Sequence, residues 1–80
     1  MPKLKVLSGT KIVNIFEKFD FSVVGQKGSH VKLQRNIDGI KQTLTIPKHS
    51  ILGKGTVKAI HNQATRYIPE SELQKHFYTK

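Results

Sequence analysis

Four histidines, His30, His49, His61 and His76, are the side chains of this 80-residue sequence best suited to moving protons near neutrality. His30 follows a glycine and a hydroxyl in the run Gln26-Lys27-Gly28-Ser29-His30, where a turn gives way to an apolar-alternating stretch. Read on these residues alone, it is a turn-exit histidine that hydrogen-bonds Ser29 or the backbone. His49 reads either as a second imidazole dividing acid and base work with His30 or as a loop residue capping a backbone group. His61 and His76 read as surface or packing residues. The four have no metal-ligand spacing, and no cysteine or grouped carboxylate joins them, so no zinc site and no cofactor are expected.

A second chemical candidate is the stretch Leu52-Gly53-Lys54-Gly55-Thr56 at the head of a helical pattern. Free amide donors at a helix start form an anion seat, Lys54 adds a formal charge, and the glycines let a phosphate come close to the backbone. The spacing is not that of a nucleotide-binding P-loop, so ATP or GTP hydrolysis is not supported. The plainer reading is a glycine-punctuated helix entry with Thr56 as cap. Both readings are compatible.

Charge points the same way. Fourteen lysines and arginines face five acids, a net charge of +9. From Gly39 to Pro69 there is no acidic residue, while Lys41, Lys48, Lys54, Lys58 and Arg66 fall in that span. Such a field favours polyanions, nucleic acid above all. The length allows one domain, residues 1–80, with one modest core. No apolar run approaches a membrane span and no signal-peptide block opens the chain, so the expected setting is the cytoplasm.

The elements that must position these residues can be read in order. Ser8 is a candidate N-cap for a helix running to about Phe19, with Ile12, Ile15, Phe16 and Phe19 on one stripe. Asp20 ends it, Phe21 to Gln26 reads as a strand, and Lys27-Gly28-Ser29 supplies a turn. A primed turn at Asp38-Gly39 would make directly opposed residues sum to 77. Val31 then faces Ile46, Leu33 faces Leu44 and Ile37 faces Ile40 on one side, with Lys32–Thr45 and Gln34–Thr43 on the other. A one-residue slip would destroy that match. His30 lands opposite Pro47, which ends the third strand because it lacks an N–H. A second helix begins near Thr56, with Val57, Ile60, Ala64 and Tyr67 inward and Lys58, His61 and Asn62 outward. A short helix or turn, anchored by Leu73 and Phe77, closes the chain. The fold class is α+β: helix, three-stranded antiparallel sheet, helix, and a C-terminal segment.

The segments SGTKIVNIFEKFDF, QKGSH, TIPKH and GKGTVKAI, in that order and spacing, resemble the HicA-type toxins of bacterial and archaeal toxin–antitoxin systems. The resemblance covers roughly residues 7 to 68, and the tail from Pro69 takes no role from it. One departure is Asp20, where the family commonly has glycine. The resemblance implies a fold similar to double-stranded-RNA-binding domains and metal-independent cleavage of mRNA centred on His30, with Ser29 and His49 as auxiliary candidates. Lys27, Gly28, Lys32, Lys48, Lys54, Gly55, Thr56 and Lys58 are the RNA- and phosphate-binding candidates. It also implies a cognate HicB-like antitoxin covering the basic face. The alternatives are a non-catalytic RNA-binding module of the same fold and a ribosome-associated basic protein without a defined site.

Overall fold

A computed structural model describes residues 3–79. The order is α1 (Gly9–Glu17), β1 (Ser22–Lys27), β2 (His30–Ile37), β3 (Ile40–Pro47), α2 (Lys54–Ala64) and α3 (Glu70–Phe77). The strands form one antiparallel sheet in sequence order, with the helices on one face. This is the expected α+β arrangement of a double-stranded-RNA-binding-type fold, with the closing segment a helix.

Each end of α1 has a local cause. Its N-cap is Ser8, whose Oγ accepts from the Lys11 N–H at 3.1 Å. At the other end the Phe21 N–H donates to the Phe16 carbonyl at 3.2 Å and the Asp20 N–H to the Glu17 carbonyl at 3.2 Å. Asp20 itself sits at φ 71°. That is a Schellman closure, whose left-handed position normally takes glycine, and its apolar contact is the Phe16–Phe21 ring pair at 5.8 Å. The departure at Asp20 is thereby explained: aspartate is one of the few side chains that tolerates this backbone. The helix stops at Glu17, two residues short of the expected Phe19.

The β2–β3 register is the expected one throughout, from His30↔Pro47 to Ile37↔Ile40. Asp38 and Gly39 both have positive φ, 52° and 80°, as a type I′ turn requires. Val31, Leu33, Leu44 and Ile46 are buried against Ile12, Phe16, Val57, Ile60 and Phe77. Ile37 and Ile40 run past the helical layer and stay exposed. β1 is an edge strand with every residue exposed, and its pairing with β2 carries a bulge at Val24, between Val23 and Gly25.

Two readings need correction. His61 does not point outward: it is 3% exposed, its ring 5.4 Å from that of Phe77 and 5.6 Å from that of Tyr78. Neither ring nitrogen has a hydrogen-bond partner among the described residues. It lies four residues after Val57 and so on the same helical face. Nor is Thr56 a cap: α2 begins at Lys54 with Gly53 as N-cap, and Thr56 is the third helical residue.

Candidate active site and nucleic-acid interface

His30 opens the central strand. Backbone alternation puts Val31 and Leu33 into the core and leaves His30 and Lys32 exposed on the uncovered face of the sheet. Lys27 is directly across from His30 in β1 and Pro47 directly across in β3. A groove of about 320 Å³ follows, lined by Gly25, Gln26, Lys27, His30, Lys32 and Thr45. The imidazole thus shares its groove with two lysines, and no carboxylate lines it.

The turn that presents His30 is braced on both sides. Gly28 takes φ 60°, and its carbonyl accepts from the Gln26 side-chain amide at 3.0 Å. The Ser29 carbonyl accepts from the Lys48 N–H, and the carbonyl of His49, the residue after Lys48, accepts from the Gly9 N–H at 2.9 Å. Gly9 is what allows this. A Cβ there would press into the Pro47 carbonyl oxygen and come within 2.6 Å of the Lys48 Cα. The start of α1, the 47–49 loop and the Ser29–His30 turn are therefore fastened in series.

The second candidate lies along α2. The Val57 N–H is the first to bond within the helix, to the Gly53 carbonyl at 3.0 Å, so the amides of Lys54, Gly55 and Thr56 have no intrahelical acceptor. Gly53 supplies no side-chain cap and the first turn has no acid. Nothing lies within 4 Å of where a Cβ of Gly55 would stand, which leaves room for a ligand. Gly55 and Thr56 line a depression of about 340 Å³ together with Thr45, Ala59, Ile60 and Gln63.

The sequence-based candidates therefore separate into groups. Lys27, Gly28, Ser29, His30 and Lys32 share one turn and its flanking strands. Lys54, Gly55 and Thr56 form the start of α2. Lys48, His49 and Lys58 are exposed but line neither hollow. His49 is fastened through its backbone, and its imidazole is not part of the His30 groove. Thr45, not singled out in the sequence, lines both hollows. Its signal was its register position opposite Lys32.

Arg35 was also missed. Its Nε donates to Gln42 Oε1 at 2.6 Å, and its two terminal nitrogens to the carbonyls of Phe19 at 2.8 Å and Tyr67 at 2.9 Å. The guanidinium lies 4.7 Å from the centre of the Phe21 ring. This cation holds the fold together through the protein's own backbone. The clue was its odd-numbered place in β2, on the side of Val31 and Leu33.

Among the described residues no group of three or more His, Cys, Asp or Glu side chains is placed to hold a metal ion. No helix of the described chain is long and apolar enough to cross a membrane.

Fold and site together define a small basic α+β domain with an exposed imidazole on the open face of its sheet. Residues 9–65, well over half the chain, match the family described as the HicA toxin of bacterial toxin–antitoxin systems. The chain belongs to that family. Membership implies an antitoxin partner. No curated protein and no solved structure matches the chain.

Proposed function

We propose that this toxin is a metal-independent mRNA endoribonuclease in which His30 handles the proton at the scissile phosphate. One observation carries the reading: an exposed imidazole in a groove that Lys27 and Lys32 also line, on the uncovered face of the sheet. RNA supplies its own nucleophile. The imidazole takes the proton of the ribose 2′-hydroxyl as its oxygen attacks phosphorus, and the bond from phosphorus to the 5′-oxygen breaks. That oxygen takes a proton, leaving a 2′,3′-cyclic phosphate and a free 5′-hydroxyl. Lys27 and Lys32 offset the charge that builds on the phosphorane. Ser29 orients the turn, and His49 is a candidate for the second proton transfer if the loop shifts toward bound RNA.

Lys54, Gly55 and Thr56, together with Lys48 and Lys58, bind the RNA backbone away from the cut. A helix start bearing a lysine suits phosphate. A single domain carries binding and chemistry, in the cytoplasm where mRNA is found. A HicB-like antitoxin would silence it by covering the basic face and His30.

A second reading has one observation in its favour. Only one imidazole lines the groove, and an RNA-binding module without catalysis would use the same surface. Incubating the purified chain and its His30→Ala variant with a long mRNA in EDTA separates the two. The nuclease gives cyclic-phosphate ends, loses about 10²–10⁴-fold in rate in the variant and still binds RNA. Binding without cleavage by either protein selects the module.

A further inference from the structure

The helical layer carries a groove of its own, of about 490 Å³, between the segment preceding α1, the outer face of α1 and the end of α3. Three lysines line it, Lys5 from the first, Lys11 from α1 and Lys18 from the residue after α1, and α3 adds the His76 imidazole. Neither Asp nor Glu lines it. The field is felt at His76, whose imidazole is held below its ordinary 6.5 by burial and then by the ammonium groups of Lys18, Lys5 and Lys75, with Glu72 opposing.

The inner wall is of another character. Leu7 and Ile15 line it, and beside them Val6 is 71% exposed. A merely solvated lysine patch has no need of an aliphatic wall. A phosphodiester backbone would satisfy the ammonium rim but leave the aliphatic wall unmatched. The His30 groove, moreover, belongs to the sheet's opposite, uncovered face. A protein segment that alternates carboxylates with apolar side chains matches both the rim and the wall.

We propose that this groove docks an acidic amphipathic segment of the antitoxin, a contact separate from any that covers His30. The proposal depends on membership of a toxin–antitoxin family and not on the nuclease chemistry. Such a contact would hold the partner through the helical layer whether or not the sheet face is occupied.

The probe is a fluorescent synthetic peptide of about fifteen residues, with leucines at helical anchor spacing and glutamates between them. It is titrated into the full-length protein, with anisotropy giving affinity and amide chemical-shift mapping giving location. The expected shifts cluster at Val6, Leu7, Asn14, Ile15 and His76. Lys11→Glu with Lys18→Glu lowers affinity by about tenfold or more, about 1.4 kcal/mol. The control pair Lys41→Glu with Lys58→Glu makes the same change in net charge and leaves affinity within about twofold, as a local contact requires. Val6→Asp, at an exposed position, weakens binding without disturbing the fold. His30→Ala leaves peptide binding intact, whatever it does to cleavage. Equal losses in both charge-reversal pairs, shifts spread over all the lysines, no peptide binding, or a short RNA filling this groove in preference to the peptide would each overturn the proposal.

Discussion

Arg35 directs its guanidinium at the protein's own backbone. Through the carbonyls of Phe19 and Tyr67 it ties together the segments that follow α1 and α2, and it does so from the middle strand. Arg35→Ala leaves two part-buried carbonyls without their donor and uncovers Phe21, so it should lower stability by about 2–3 kcal/mol in urea unfolding. RNA affinity measured on the folded variant should change little, since this cation faces inward. His76 gives a second test at this scale. Its imidazole titrates below 6.5 in the folded chain, so within that window the unfolded state binds more protons. Its contribution to stability therefore rises with pH and falls on acidification. Replacing Lys18 by Gln removes one of the charges pressing on it, and the His76 midpoint in a proton NMR titration should move upward.

Among the elements, the hairpin was the most legible. Period-two alternation and a primed-turn dipeptide fix register through purely local and cross-strand rules. The Ser8 cap and the apolar stripe of α1 were legible for the same reason. The rest depended on distant partners. The role of Arg35 rests on carbonyls 16 and 32 residues away in the chain. The need for glycine at position 9 comes from a loop some forty residues on. His61 was misplaced because its polar type outweighed its helical position. Of the candidate site, the turn bearing His30 was foreseen, while Thr45 and the separation of His49 from the groove needed coordinates. The start of α2 offers a test that divides stability from binding. Gly53 leaves the helix uncapped by any side chain. Gly53→Asp supplies the missing acceptor and a favourable charge, worth about 0.5–1 kcal/mol in thermal unfolding. If the helix start holds phosphate, the same carboxylate should weaken RNA binding severalfold, and a stabilised variant with undiminished affinity would remove α2 from the interface.

Over the whole molecule the charge is lopsided, +9 on 80 residues. Among the described residues the one ion pair is Lys75–Glu72, at 3.7 Å and exposed, which adds little to stability. The cations are thus largely available to a polyanion. RNA affinity should fall steeply with salt, and Lys32→Ala or Lys54→Ala should each reduce the slope of log K against log salt by about one. If neither single variant changes the slope, contact is diffuse and no lysine has a fixed phosphate.

Thr45 forms a shared sill between the His30 hollow and the α2 depression. If RNA occupies both hollows as proposed, its path crosses one short hydroxyl side chain, the residue that borders each of them. On that proposal an aromatic residue in its place would obstruct the passage, and a long RNA would lose affinity while an oligonucleotide short enough for one hollow would not.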